Sequence, residues 1–237
     1  MTRRTAIVLQ ARMGSARLPG KVLAPLGDRT VLAHCLLRLD MSGLPIIVAT
    51  TERREDDAVE AAAREAGVEV FRGQTNDVLG RYIGAARAFG LEEIVRATAD
   101  NPLVDPDAAP RVLELRRRVN ADHTVESGLP IGCAVEAVTT RALIESERLV
   151  ADPYDREHVT SFVRRMVRFR ALRAVAPGHL RRPGLRLTVD TPEDLSFVRA
   201  VLAATGSSPM PPLAEVIRVA DELLVKSATR TQSRQGA

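Results

Sequence analysis

The sequence predicts an α/β fold, a parallel sheet with helices on its faces, and three observations carry that prediction. Through the first half of the chain, short apolar runs of strand length alternate with segments of helical period. Two of those helical segments stop at a glycine, Gly67 and Gly90, where a residue just past a helix end adopts the left-handed conformation. The chain has 237 residues, 45% of them hydrophobic and 27% charged, which suits a globular protein with a sizeable core and excludes a disordered, collagenous or membrane-spanning chain.

Taken in order, residues 5–10 (TAIVLQ) read as a buried strand, followed by a loop to Asp28 and an apolar-periodic helix over 30–39. Residues 45–51 form the second strand, 54–66 an Ala/Glu-rich helix, and 68–71 the third strand. Residues 77–89 repeat the helix, and 93–98 supply the fourth strand, which runs into Ala99-Asp100-Asn101-Pro102. Asp105-Pro106 then opens a helix with an N-cap and an N1 proline. Past Gly128 the alternation loosens: strands are expected over 133–139, 169–176 and 185–189, and helices over 141–149 and 155–167. Thr191-Pro192-Glu193-Asp194 starts a helix that stops at Gly206, and an amphipathic helix covers 211–225. This organisation predicts one domain over residues 1–225 and a polar, disordered tail over 226–237.

A net charge of +4 and a basic isoelectric point raise the question of nucleic acid. Of the 34 basic residues only Lys21 and Lys226 are lysine, so the excess reflects arginine usage spread along the chain. The densest basic stretch, residues 156–186, offers only Phe162 and Phe169 as stacking platforms, and no nucleic-acid partner is expected. Met1-Thr2-Arg3-Arg4 is followed by too short an apolar run for a signal peptide, so no membrane association and a cytoplasmic location are expected. Cys35 and Cys133 have neither disulfide-framework nor zinc spacing and read as core residues.

The segment that carries most chemistry follows the first strand directly. In residues 10–21, QARMGSARLPGK, Gly14 and Gly20 permit close backbone approach while Arg12, Arg17 and Lys21 place three cations at the carboxyl end of a strand. Such a loop suits a polyphosphate, yet it is no Walker loop, because Val22 stands where Ser or Thr is needed, and no G-x-G-x-x-G. Asp100 and Asp190 each end a predicted strand before a proline-containing turn, so a parallel sheet could bring both to the edge that carries this loop. Two carboxylates beside a polyphosphate meet the needs of Mg²⁺, a hard cation that takes oxygen ligands. On their own, the same two residues could equally be a capping leader and a turn former.

Four segments in matching order, QARMGSARLPGK at 10–21, ADNPLVDP at 99–106, DREHVT at 155–160 and LTVDTPEDL at 187–195, resemble the cytidylyltransferase family. The likeness is to the spore-coat-polysaccharide-biosynthesis type, with 3-deoxy-manno-octulosonate and acylneuraminate cytidylyltransferases as relatives. It implies a nucleotide-diphospho-sugar transferase (GT-A-like) fold, three layers with a mostly parallel central sheet. It also implies transfer of CMP from CTP to a hydroxyl of a sugar or sugar-acid acceptor, with release of pyrophosphate. By the resemblance, Arg12 and Lys21 contact the triphosphate, with Arg17 as a further candidate and Gln10, Ala11, Gly14 and Ser15 as substrate-binding neighbours. Asp100 and Asp190 match the aspartates that hold Mg²⁺. Residues 71–79 match a segment bordering the nucleotide, which makes Arg72 and Asp77 candidates, and Arg156, Glu157 and His158 fall where acceptor-binding or subunit-contact residues lie. Where the family commonly shows GLDVE, this chain has Gly132-Cys-Ala-Val-Glu136, keeping Glu136 but placing Ala134 at the Asp. That departure bears on the acceptor, leaves the nucleotide half intact, and makes a non-catalytic homologue one alternative. Another NTP or a non-sugar acceptor would share every motif quoted, and a glycosyltransferase would share the fold. A homodimer formed through an arm at 128–176 is the expected assembly.

Overall fold

The structure is a computed structural model that describes residues 4–206 and 210–235. The opening Met1-Thr2-Arg3 of the signal-peptide reading and the last two residues of the expected tail lie outside them. In chain order the elements are β1 (Thr5–Gln10), a 3₁₀ turn (Lys21–Leu23), the hairpin β2 (Pro25–Leu26) and β3 (Arg29–Thr30), α1 (Val31–Asp40), β4 (Ile46–Thr51), α2 (Asp57–Glu65), β5 (Glu69–Gly73), α3 (Val78–Ala88), β6 (Glu93–Thr98) and α4 (Ala108–Arg118). The second half supplies β7 (His123–Ser127), β8 (Glu136–Thr139), α5 (Thr140–Glu147), α6 (Pro153–His158), α7 (Ser161–Arg165), β9 (Ala171–Val175), α8 (Pro192–Ala204) and α9 (Leu213–Gln235).

The main sheet runs β5-β4-β1-β6-β8-β7-β9. Its first four strands are parallel, β8 is antiparallel to both β6 and β7, and β9 lies parallel to β7 at the edge. The period-two pleat divides the apolar residues between two faces. Ile7, Leu9, Val48 and Val95 pack beneath α1, α2 and α4, with Leu32, Leu36, Val59 and Val112. Ala6, Val8, Ile47 and Ile94 face the opposite way onto Leu79, Tyr82, Ile83, Leu143 and Phe162 of α3, α5 and α7. A third cluster joins the hairpin to the C-terminal helices through Leu26, Val31, Leu187, Val189, Leu195, Val198 and Val216. Helix starts are fixed locally: Thr30, Asp77 and Thr139 accept hydrogen bonds from Ala33, Gly80 and Ala142, and Thr191 with Asp194 closes a capping box on α8. Cys35 and Cys133 are free and buried, and burial raises both thiols well above the ordinary range.

From residue 105 onward the structure departs from the sequence reading in six places. β7 replaces an expected loop, and β8 begins at Glu136, because Cys133 turns back through a bond from its N–H to Pro130 O. The expected helix over 155–167 breaks into α6 and α7 at Val159, a buried β-branched residue held at φ 52°. Residues 185–189 form no sheet strand and make one bridge, Ile131 to Arg186. The helix expected after Asp105-Pro106 starts later, with Asp107 as its N-cap. Finally, α9 continues past Val225 to Gln235, where a tail was expected.

Candidate active site

β1 and β6 lie side by side and parallel, so the loops that leave Gln10 and Thr98 emerge at the same sheet edge. The first loop is pinned from below by the buried Asp56 carboxylate, which accepts from Met13 N–H at 2.6 Å, and it closes on itself where Gly20 N–H donates to Met13 O at 2.9 Å. Gly20 sits at φ 72°, a conformation that disfavours any side chain, and it launches the turn that aims Lys21 inward. Ser15 Oγ accepts from Leu18 N–H within the same loop.

Asp190 reaches this edge without a sheet strand. Its segment is stitched to two loops instead: Leu187 N–H donates to Ile131 O at 2.8 Å, and Val189 N–H donates to Asp100 O at 2.7 Å. Gly132, at φ 96°, makes that approach possible, since a Cβ there would lie 2.7 Å from Thr188 N. Asp190 and Asp100 are thereby held by their own backbone connection.

The two carboxylates share one cation. Lys21 Nζ donates to Asp100 Oδ2 at 2.9 Å and to Asp190 Oδ1 at 2.8 Å, with its side chain only 12% exposed. Asp190 also faces Arg186 at 2.6 Å and Arg17 at 3.2 Å, while Thr98 Oγ1 donates to Asp100 Oδ1 at 2.7 Å. Burial alone would raise the Asp190 carboxyl, but the Lys21, Arg186 and Arg17 charges outweigh it and hold it below its ordinary value.

Above this cluster opens a cavity of about 400 Å³. Of the residues singled out in the sequence, Gln10, Ala11, Arg12, Gly14, Ser15, Arg17, Lys21, Asp100, Glu157, His158 and Asp190 line it. Arg12 lies 3.8 Å from Glu157, and the His158 ring packs 4.1 Å from that of Tyr154. The structure does not bring the other four candidates onto this cavity. Arg72 is spent holding β5 to α2, donating to Asp57, Glu60, Thr51 O and Arg53 O. Asp77 caps α3 and pairs with Arg156, which ties α6 to α3. Glu136 lies beneath the cavity floor, where it accepts from Thr160 Oγ1 and Arg164. Its burial opposes ionisation, yet His123, Arg96 and Thr160 more than compensate and pull its carboxyl far below the usual range. Conversely, the cavity includes Arg96 and Thr98 of β6, which the sequence reading missed because strand residues carry no loop signature. A larger open depression of about 960 Å³, near Leu91, Asp122 and Arg141, lies at the opposite edge of the sheet and contains none of these groups.

The donor set can hold a divalent cation. Asp100 and Asp190 are hard oxygen ligands, and both already contact a single cationic atom, so one ion can reach both. No cluster of three or more metal-ligating side chains occurs among the described residues, which would leave further positions to water or phosphate oxygens.

Known proteins resemble this chain over most of its length. The spore coat polysaccharide biosynthesis protein SpsF of Bacillus subtilis (strain 168) is 35% identical over 219 residues, covering 89% of this chain and 91% of that protein. A 3-deoxy-manno-octulosonate cytidylyltransferase of Anaeromyxobacter dehalogenans (strain 2CP-1 / ATCC BAA-258) is 28% identical over 242 residues, covering 85% and 99%. The solved structure of a cytidylyltransferase from Leptospira borgpetersenii superposes with a TM-score of 0.87 at 31% identity, covering 94% of this chain and 96% of that one. The fold is that of the nucleotide-diphospho-sugar transferases. The family described as cytidylyltransferase matches residues 6–219, and this chain belongs to it.

Proposed function

We propose that this chain is a cytoplasmic enzyme that transfers CMP from CTP to a hydroxyl of a sugar or sugar-acid acceptor and releases pyrophosphate, a step that activates a sugar for polysaccharide assembly. The observation that carries this reading is the meeting of Arg12, Arg17 and Lys21 with Asp100 and Asp190 on one cavity. Three cations suit a triphosphate and two carboxylates suit the Mg²⁺ that accompanies it.

The reaction needs no covalent intermediate on the protein. An acceptor oxygen attacks the α-phosphorus in line, its bond forming as the bond to the β-phosphate oxygen breaks, and the pair of electrons leaves with pyrophosphate. The protein has to align the two substrates and neutralise charge where it develops. Mg²⁺ held by Asp100 and Asp190 would supply Lewis-acid polarisation at the phosphate. Lys21 then gives up its two carboxylates, and with Arg12 its ammonium serves the departing phosphates. Arg186 stays with Asp190 and helps to keep it ionised, while Arg17 joins the cations on the triphosphate. Asp77 and Arg156 act at a distance in this reading, by fixing the frame against which α6 presents Glu157 and His158, and Arg72 by holding β5 to α2.

The same reading makes the protein a homodimer. β9 is the sheet edge, and it presents Leu172 and Val175 to solvent near the exposed Met166, Val167 and Tyr154, within or beside the segment expected to pair. Among the described residues no helix is long and apolar enough to cross a membrane.

The test is a thermal-shift panel of CTP, UTP, GTP and ATP with Mg²⁺, followed by pyrophosphate release with CTP over a library of sugars and sugar acids. Selective stabilisation by CTP and acceptor-dependent pyrophosphate are expected. Preference for another nucleotide, stabilisation by a nucleotide sugar alone, or CTP binding without turnover on any acceptor would refute the reading.

A further inference from the structure

Arg96 is the residue of the cavity whose bonding is least complete. It lies on β6 opposite Val8 on one side and Glu136 on the other, and its side chain is 18% exposed. Among the described residues its guanidinium makes no hydrogen bond, and its Nε is buried without a partner. Two contacts hold the group in place without using its N–H donors. The guanidinium carbon stands 5.9 Å from the centre of the Tyr82 ring, and the nearest Glu136 oxygen is 3.7 Å from NH1, beyond hydrogen-bond reach. Tyr82 is itself fixed, its hydroxyl donating to Ala97 O at 2.9 Å. Glu136 cannot turn towards Arg96 freely, since Thr160 and Arg164 already engage its two oxygens. One carboxylate therefore faces two arginines, so Glu136 does not saturate the donors of Arg96.

On the neighbouring strand, two residues on from the Val8 that faces Arg96, Gln10 Oε1 lines the same cavity and is also buried without a donor. A buried donor and a buried acceptor that both go unused in one cavity lining are costly in the free protein, and a guanidinium that makes no hydrogen bond suits a ligand carrying an oxyanion and a hydroxyl. The group is set apart from the phosphate loop. It lies two residues inside the sheet from Thr98, ~6–7 Å at the rise of an extended strand, on the side towards β8 and α6, where Glu157 and His158 form the wall.

Building on the cytidylyl-transfer reading, we propose that Arg96 is an acceptor-binding residue that takes a carboxylate or phosphate of the acceptor, with Gln10 Oε1 accepting from an adjacent hydroxyl. The enzyme is thereby selective for anionic over neutral acceptors. Arg96 gives up no hydrogen bond within the protein, but its charge helps to offset the buried Glu136 carboxylate, so Arg96→Lys, which keeps that charge, is the variant expected to leave the fold intact, and Arg96→Met the one expected to lose some stability as well as ligand binding.

The experiment uses the full chain loaded with CTP and Mg²⁺, so that the cations of the loop are occupied. Glycolate, methyl phosphate and ethylene glycol serve as probes, with binding followed by thermal shift and calorimetry. Wild type should respond saturably to glycolate or methyl phosphate, the stronger of the two identifying the anion, and not to ethylene glycol. Arg96→Met should weaken that response by about tenfold or more, in line with loss of a charge-assisted pair, while CTP affinity stays within about twofold. Arg96→Lys, which keeps a charge but lacks the planar fork, should recover part of it. An unchanged anion response in Arg96→Met overturns the proposal, as does a fall in CTP affinity that tracks the anion response, which would assign Arg96 to the nucleotide. A melting temperature that drops in Arg96→Met and Arg96→Lys alike before any probe is added also overturns it, by making Arg96 structural. If CTP fails to bind wild type while the anion response still depends on Arg96, the transferase reading falls and the anion site stands.

Discussion

Replacing Lys21 by Met should convert a carboxylate pair neutralised from within the protein into one that needs an external cation. Lys21 Nζ lies 2.9 Å from Asp100 Oδ2 and 2.8 Å from Asp190 Oδ1, so those two oxygens are separated by no more than those distances laid end to end. At that spacing, two unit charges repel by ~3 kcal/mol for an effective dielectric near 20. Asp190 keeps Arg17 and Arg186, and both carboxylates are partly exposed, at 27% and 20%, which screens the repulsion. Met fills most of the volume of the lysine stem, so the electrostatic cost dominates. We expect a loss of about 2 kcal/mol in EDTA, equivalent to ~4–8 °C in melting temperature for a chain of this size. Millimolar Mg²⁺ without nucleotide should restore most of it in Lys21→Met, since a ligand at about 100 times its Kd contributes ~2.7 kcal/mol. Wild type should respond little, because its ammonium already occupies the place between the carboxylates. The assay is calorimetric melting in EDTA and in Mg²⁺ for wild type, Lys21→Met and Lys21→Met/Asp190→Asn, the last expected to lose the Mg²⁺ response. If Mg²⁺ stabilises wild type and Lys21→Met equally, the carboxylates are not the cation site and the reasoning fails.

Lys21→Ala should lower kcat by ~10²–10³, the scale of losing one preorganised charge-stabilising donor, with a smaller change in CTP affinity; steady-state pyrophosphate release alongside calorimetry checks this split. Asp190→Asn should abolish turnover without unfolding the protein, and Asp100→Asn/Asp190→Asn should be scarcely worse than either single variant in the same assay. The Asp190 carboxyl is held below its ordinary 3.8, so its contribution is complete above about that pH and is lost as the pH falls through the lower folded value. Wild type should therefore lose more stability than Asp190→Asn on acidification from pH 5 to pH 3, as read by urea denaturation at each pH. Gly132→Ala should destabilise the protein by roughly 2–4 kcal/mol and depress activity, because its Cβ would strike Thr188 backbone at 2.7 Å and push the Asp190 segment off Asp100. Light scattering at micromolar concentration should give a dimer mass; a monomer would remove the role proposed for the β9 edge.

What the sequence made legible divides along a physical line. The parallel half was readable because both faces of its strands are buried by neighbours close in sequence, so Ile7 and Leu9 on one face and Ala6 and Val8 on the other suffice to mark β1. β7 hides because its polarity is cancelled by distant partners. His123, Thr124 and Glu126 look like loop residues, yet all three are buried: Thr124 Oγ1 donates to Val112 O, and Glu126 accepts from Arg111, which also pairs with Asp105. Burial would cost Thr124 and Glu126 several kcal/mol if they were unpaired, and nothing local announces that they are paired; His123 Nε2 makes no hydrogen bond among the described residues and faces Glu136 at 3.5 Å. The split between α6 and α7 hides for a different reason. The apolar periodicity of 155–167 is continuous, and only packing holds Val159 at a positive φ against its intrinsic preference.

The candidate site follows the same rule. Its loop was legible because glycines and unlike cations within twelve residues encode a conformation and a charge together, and Lys21 stands out in a chain that otherwise uses arginine. Asp190 was readable as a residue but not as a position, since it arrives through bonds to Ile131 and Asp100 and not along a sheet strand. Arg72 and Asp77 show the converse: their segment borders the right region, but their donors and acceptors are consumed by Asp57, Glu60 and Arg156, so proximity in a motif did not bring them to the cavity. Arg96 was invisible for the opposite reason. On a strand, a lone arginine reads as the polar member of an alternating pair, and its significance lies in the hydrogen bonds that it fails to make, a property defined only once Tyr82, Glu136 and Gln10 surround it. A residue proposed to act through what it lacks is thus one that a sequence conceals well, since the bonds Arg96 leaves unmade are visible only in the folded chain.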